Sequence, residues 1–409
     1  MEFKRIIIKN YHLIIFGMLL IIALLISFNS IVNQNDLKMD FRSFFYAGKL
    51  VEKDINIYDF SALNNEDEKK EHVYPFVYTP IVAQFFSLFS NNNPLNIQLL
   101  WSVLNILLIP LIFYLSFQLL DKSKQIELLN KYSLMLLIIP IVILMFAPFR
   151  YIIIIGQIDL FILMLLLISL NMAKSGKDSL AGSVFAMAIM LKYSGGLLLL
   201  YFLFQKKYKF ILSFIISFII IFLISYLFNP EQWINLSEFL INTFQIGVPG
   251  LPEIGDVANS SIFSLPFKIF GESNLFSKLM IIGILCLSFY LIFFQIRKMN
   301  YKDEELVFLL PFLVLTIIST PYTWRQHFIY LMPGILVLSY YILLKFDIKR
   351  TYIFLSILFV LLFLTGFNFS SKILELTSNQ LLASHNLISG LILIIFTFFV
   401  YKSSPIEKV

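Results

Sequence analysis

Apolar runs able to cross a hydrocarbon core of about 30 Å recur along the whole chain, separated by short lysine-bearing segments. They fall at roughly 11–32, 95–119, 132–149, 155–172, 179–191, 195–204, 209–228, 274–296, 305–320, 326–344, 351–370 and 387–401. Lipid offers no partner to a bare N–H or C=O, so such runs must close their backbone hydrogen bonds internally and are predicted to be helices. The expected fold is all-α: one polytopic transmembrane domain over 1–409 with about twelve spans.

Basic residues in short loops mark the side that resists translocation. Seven clusters qualify: Lys4/Arg5/Lys9, Lys122/Lys124/Lys131, Lys174/Lys177, Lys206/Lys207/Lys209, Arg297/Lys298/Lys302, Lys345/Lys349/Arg350 and Lys402/Lys408. Between clusters the chain must cross an even number of times, and the twelve runs satisfy that parity with both termini cytoplasmic. Residues 179–204 test the scheme, because they are about one span long yet have a basic loop on each side. Parity demands two short helices here, a hairpin turning at Lys192-Tyr193-Ser194-Gly195-Gly196, where glycine permits a bend. The first run, preceded by Lys4, Arg5 and Lys9, lacks a small-residue cleavage site and is expected to be an uncleaved helix.

Two segments expected on the far side are long, 33–94 and 229–273. Within the first, 40–52 and 79–90 are too short to span. Their aromatic, partly amphipathic character predicts helices lying in the interface.

Composition agrees with this picture. The chain is 59% hydrophobic and 14% charged, with a mean hydropathy of +0.85, whereas soluble domains carry about 25% charged residues. The net charge of +6 is dispersed through short loops and forms no basic stripe, so no nucleic-acid partner is expected. Cys286, the single cysteine, offers neither a disulfide nor a cysteine metal site. The acidic run at 66–71 is expected to be a solvated loop, and neither a metal nor a cofactor is expected. The expected location is a plasma membrane, bacterial in kind.

Once this topology is drawn, the residues hardest to explain by structure alone gather near the far surface. They are Asp40; Tyr46, Tyr58, Tyr74 and Tyr78; Arg150; Gly156-Gln157-Ile158-Asp159; Lys192; Asn259-Ser260-Ser261; and Trp324-Arg325-Gln326-His327. Each has a plainer explanation when taken singly. Asp40 fits a solvated charge, Arg150 and Lys192 fit snorkelling anchors, the tyrosines and Trp324 fit an aromatic belt, and His327 fits a hydrogen-bonded interfacial histidine. Asp159 would be accounted for by an ion pair with Arg150 or Lys192.

Together they describe a chemistry. Charges at this depth are expensive and tend to be functional. Three cations, Lys192, Arg150 and Arg325, suit a lipid-anchored phosphate. A carboxylate facing it, Asp40, suits a general base. Aromatic and polar side chains around them, with Tyr46, Tyr58, Tyr78, Gln157, Asp159, Asn259 and Trp324 as candidates, suit a sugar ring.

These motifs resemble the GT-C superfamily of membrane glycosyltransferases, and within it family 87, which includes polyprenyl-phosphate-mannose-dependent mannosyltransferases. The resemblance rests on Asp40-Phe41-Arg42-Ser43-Phe44-Phe45-Tyr46-Ala47-Gly48, Asn56-Ile57-Tyr58, Pro75-Phe76-Val77-Tyr78-Thr79-Pro80, Gly156-Gln157-Ile158-Asp159, Leu191-Lys192-Tyr193-Ser194, Asn259-Ser260-Ser261 and Thr320-Pro321-Tyr322-Thr323-Trp324-Arg325-Gln326-His327, in family order. It implies a GT-C-like fold, a catalytic base at Asp40, and an inverting transfer of a hexose such as mannose outside the cytoplasm. The implied partners are a polyprenyl-phosphate sugar donor, a glycolipid or glycan acceptor, and membrane lipid. His327 would hydrogen-bond the donor phosphate or position the base. The family's late motif commonly reads Trp, any residue, His, His, where this chain has Gln326 and His327. A second functional class is a transporter or lipid flippase using Lys192 and Asp159 as a substrate or proton site at depth.

Overall fold

A computed structural model describes residues 17–25, 36–67, 73–246, 248, 250–253, 256, 258–270, 306–320, 322–367, 369–377 and 380–404, with isolated positions between 279 and 290. Among them every regular element is a helix.

The 33–94 segment carries α1 (Met39–Glu52) and α2 (Pro80–Ser87), close to the two interfacial helices expected there. Next come α3 (Pro94–Gln118), α4 (Lys122–Leu144), α5 (Ala147–Ile155), α6 (Asp159–Lys174) and α7 (Asp178–Leu191). A 3₁₀ turn at Tyr193–Leu198 runs into α8 (Leu199–Phe204), followed by α9 (Tyr208–Phe228) and α10 (Pro230–Ile246). The C-terminal part contributes α11 (Leu309–Ile318), a 3₁₀ segment Arg325–Leu331 running into α12 (Met332–Lys345), α13 (Ile348–Gly366) and α14 (His385–Ser403).

Six of these stretches are long and apolar enough to cross a membrane: α3, α4, α9, the 325–345 stretch, α13 and α14. Shorter apolar helices cover 178–191, 195–204 and 306–318. The chain is therefore an all-α polytopic membrane protein. Of the twelve expected spans, 11–32 and 274–296 lie largely outside the described residues. Helix α9 turns most of its Ile, Leu and Phe side chains outward, which only lipid would tolerate along its length.

One span differs from expectation. The run at 132–149 is not one helix: α4 begins ten residues earlier, at Lys122, breaks at Tyr132 (φ −132°, ψ 30°) and stops at Leu144. Pro148 then sits in the first turn of a separate helix, α5. Proline lacks an N–H and its fixed φ suits a first turn, so Pro148 is well placed where the chain restarts.

The two ends of the bundle differ in chemistry. At one end Lys174 pairs with Asp121 at 2.7 Å and donates to the Leu119 carbonyl at 2.6 Å. Lys207 there binds Asp178 at 2.9 Å and the Ala173 carbonyl at 2.8 Å. Loops 119–121, 173–178 and 205–207 therefore share that end. Lys192 lies at the other, against Asp159 at the start of α6, so 178–204 goes across and returns as the hairpin that parity required. The bend itself is at Lys192, which leaves helical geometry for an extended one (φ −152°, ψ 113°). Gly195 instead allows close approach, since a Cβ there would come within 2.9 Å of Ile189 Cδ1.

Small residues set the tightest crossings. A Cβ on Gly182 of α7 would stand 2.3 Å from the Phe210 carbonyl oxygen of α9, and one on Gly48 of α1 would stand 2.6 Å from the Phe86 carbonyl carbon of α2. Backbone cannot swing aside as a side chain can, so substitution here must separate the helices. Gly182→Val is expected to destabilise the folded protein by about 1–3 kcal/mol, seen as a lower thermal midpoint in detergent. An unchanged midpoint would mean that α7 and α9 do not pack this closely.

Candidate functional site

Asp40 stands in the first turn of α1, where a carboxylate meets the positive end of the helix. Its Oδ2 accepts from the Gln157 amide nitrogen. Gln157 Oε1 in turn accepts from the Tyr78 hydroxyl at 2.6 Å, and Tyr58 donates to the Tyr78 carbonyl at 2.7 Å. This chain fixes which amide atom faces the acid: Oε1 takes the tyrosine proton, leaving the N–H₂ for Asp40. Burial pushes Asp40 up to about 7 and Asp159 adds to the rise, while Lys192 and the Gln157 hydrogen bond oppose it. Burial beside the same two acids holds the Tyr78 hydroxyl far above its usual range, so it keeps the proton that it donates to Gln157.

Asp159 has no exposed surface. Its Oδ1 accepts from Lys192 Nζ at 2.7 Å and from the Tyr330 hydroxyl at 2.6 Å, and its Oδ2 has no hydrogen-bond partner among the described residues. The Lys192 ammonium also lies 5.3 Å from the Tyr78 ring centroid, within cation–π range. His327 Nδ1 accepts from the Trp324 backbone N–H at 3.2 Å. The neutral ring must therefore carry its proton on Nε2, as a donor.

Part of this network borders one cavity of about 320 Å³, at the small end of the ~300–1,000 Å³ usual for small-molecule sites. Asp40, Tyr78, Gln157, Lys192, Trp324, Arg325, Gln326 and His327 all line it. Helix α10 closes another side through Phe239 and Thr243, and Phe239 stacks on Tyr58 at 4.9 Å. Gln232, buried at the start of α10, anchors that wall by accepting from the Ile57 N–H (3.1 Å) and donating to the Ile55 carbonyl (2.8 Å).

Several expected residues hold the site from behind instead of lining it. Tyr46 donates to Asp67 at 3.0 Å, beside the Arg42–Asp67 ion pair at 3.3 Å. Tyr58 sits one layer out, on Phe239. Asp159 lies beneath Lys192. Arg150 is exposed on α5 and does not border the cavity, whereas Arg325 does, its guanidinium stacked 3.8 Å above the Tyr151 ring. Asn259 acts as a clamp: its Oδ1 accepts from the N–H groups of Thr323 (2.9 Å) and Ser261 (3.0 Å). Ser260 N–H reaches the Thr323 carbonyl at 2.7 Å, and the Ser261 hydroxyl donates to the Thr320 carbonyl.

Tyr330, Tyr151, Lys38 and Gln232 belong to the site or its supports without standing out in the sequence. Tyr330 carried a usable signal. It follows His327 by three residues within a 3₁₀ segment, where side chains at i and i+3 eclipse and face the same way. The other three are recognisable only from their partners.

A polytopic helical membrane protein with an acid, two cations and a histidine around one aromatic-walled cavity fits a class: a membrane enzyme for a polar substrate. Residues 76–321, more than half of the chain, match glycosyltransferase family 87, and the chain belongs to that family. It is thus a membrane glycosyltransferase, acting between a sugar donor and an acceptor. The matched region begins after Asp40 and ends before Trp324-Arg325-Gln326-His327. No curated protein matches the chain.

Asn259→Ala would leave the buried N–H groups of Thr323 and Ser261 without their acceptor, at about 1–3 kcal/mol for each buried group left unsatisfied. Backbone hydrogen exchange over 320–327 is expected to accelerate while exchange in α6 stays as before. Equal exchange in both proteins would exclude the clamp.

Proposed function

We propose that this glycosyltransferase is inverting and moves a hexose such as mannose from a polyprenyl-phosphate donor to a glycolipid or glycan acceptor at the extracytoplasmic surface of a plasma membrane. The observation that supports this most strongly is that Asp40 shares a single cavity with Lys192, Arg325 and His327. A base and a set of phosphate-binding donors are what such a transfer needs, and they stand at one end of the bundle.

In the proposed reaction Asp40 takes the proton from the acceptor hydroxyl. That oxygen attacks the anomeric carbon in line, forming the new glycosidic bond as the bond from that carbon to the phosphate oxygen breaks. The electron pair leaves on the lipid phosphate, whose charge Lys192, Arg325 and the His327 Nε2–H stabilise. Gln157 aims the Asp40 carboxylate while leaving Oδ1 for the acceptor. Tyr78 and Trp324 supply aromatic faces for the sugar. The segments 33–94 and 229–273 form the outer side of the site, with Asn259 holding the late motif in place. Arg150, exposed and outside the cavity, is left without a role at the phosphate. A transporter would hold its polar site near the bilayer midplane between matched halves, whereas here the polar groups cluster at one end.

Asp40→Asn keeps the shape and removes the base. With polyprenyl-phosphate mannose and a membrane glycolipid extract as substrates, its transfer rate is expected to fall by at least ~10²–10⁴, and near-normal transfer by folded Asp40→Asn protein would rule out the assignment. Because burial raises Asp40 to about 7, its base form is lost as pH falls through that value. Transfer at low substrate should drop about tenfold per pH unit below 7 and level off above it. A flat profile from pH 5 to 8 would contradict this.

A further inference from the structure

We infer that Lys38 is a positioning residue for the proposed base, an inference that rests on the assignment of Asp40 above. Lysine is almost never fully buried unless it is paired. Lys38 is buried, and its ammonium is held by two neutral acceptors: Nζ donates to Ser102 Oγ at 2.8 Å and to the Ile153 carbonyl at 2.9 Å. Its backbone N–H donates to the Gln98 side chain, whose amide nitrogen reaches the Asp36 carbonyl at 3.2 Å. Burial lowers the ammonium to about 8, which leaves it charged at neutral pH. The proposed transfer gives this costly group no direct part.

Its place explains its retention. Asp40 is two residues beyond Lys38 on the way into α1, and Gln157 is four residues beyond Ile153 at the end of α5. Lys38 therefore ties together the two segments that carry the partners of the Asp40–Gln157 hydrogen bond, and fixes both to α3. The carbonyl it binds lies in the last turn of α5, the helix end that favours a cation. Trp101 of α3 adds a second tie, its indole N–H donating to the Gly156 carbonyl at 3.0 Å. Gly156 makes the approach possible. Its φ is +75°, and a Cβ there would come within 2.9 Å of Phe41 Cβ and 3.3 Å of Lys38 Cβ.

Lys38→Met keeps most of the stem and removes the ammonium donors. With the same donor and acceptor preparations, kcat is expected to fall between about tenfold and a hundredfold, since a misplacement of ~1 Å at reacting groups costs about 10². KM for the donor should change little. The acid limb of the pH–rate profile should also rise by about one unit, because Asp40 loses a hydrogen bond that favours its charged form. The titratable groups facing Asp40 are Lys192, Asp159, Tyr74 and Tyr78, with Arg325 and His327 on the same cavity, and the substitution leaves all of them in place. Ser102→Ala should move the limb the same way by less, and it carries the test if Lys38→Met does not fold. A lower thermal midpoint with the limb unmoved would make Lys38 merely structural and overturn the inference, as would unchanged kcat. Asp40→Asn is assayed alongside: if it still transfers sugar, the base assignment itself has failed. If it is inactive while the Lys38→Met limb stays put, only the positioning role falls.

Discussion

A carboxylate with no exposed surface cannot stand alone inside a membrane bundle, and the pairing of Asp159 with Lys192 and Tyr330 is the interaction on which the site depends. Removing an ion from water costs several kcal/mol even after relaxation, so each partner is held where the other needs it. The pair joins the start of α6, the bend of the 178–204 hairpin and the 3₁₀ segment that carries His327. It also keeps an ammonium group at the cavity wall with its charge balanced. In the proposed reaction, an arriving phosphate gives Lys192 a second anionic partner with little reorganisation, which is the condition under which fixed charges stabilise a transition state best.

The remaining architecture follows from where polar groups are permitted. Lipid forces the bundle's surface to be apolar, as on α9, and ion pairs stand at both ends. At one end lysines are tied to loop carbonyls and acids. At the other, α1, the 74–78 segment before α2 and α10 build walls around the cavity, with α10 fastened by Gln232 and α1 by Lys38. The rigid parts support the site from outside it: Asn259 holds the turn that presents Trp324 and His327, and Tyr78 holds the amide that orients Asp40.

Much of this was legible in the sequence, because membrane physics leaves few choices. Apolar length gave the all-α membrane class and the position of most described helices, and lysine parity gave the hairpin at Lys192 although no single segment there suggested two helices. Asp40, Gln157, Lys192, Arg325 and His327 stood out as polar groups too costly to be incidental, and they do meet. What the chain concealed was direction. Nothing in Tyr46 says that its hydroxyl turns to Asp67, or in Asn259 that its amide serves two backbone N–H groups. Arg150 looked like a third phosphate cation until Pro148 started a separate helix that leaves it exposed. Lys38 was one charge among many in a mixed loop, and its burial depends on Ser102 and Ile153, 64 and 115 residues away.

The reaction proposed for the cavity is bond exchange at an anomeric carbon. The most direct measurement incubates the purified protein, in lipid nanodiscs, with polyprenyl-phosphate mannose and a membrane glycolipid extract, and determines both the released lipid phosphate and the anomeric configuration of the product by NMR. The proposed reaction predicts one polyprenyl phosphate released per glycoside formed, with the configuration inverted. Retained configuration, or a donor left uncleaved, would contradict it.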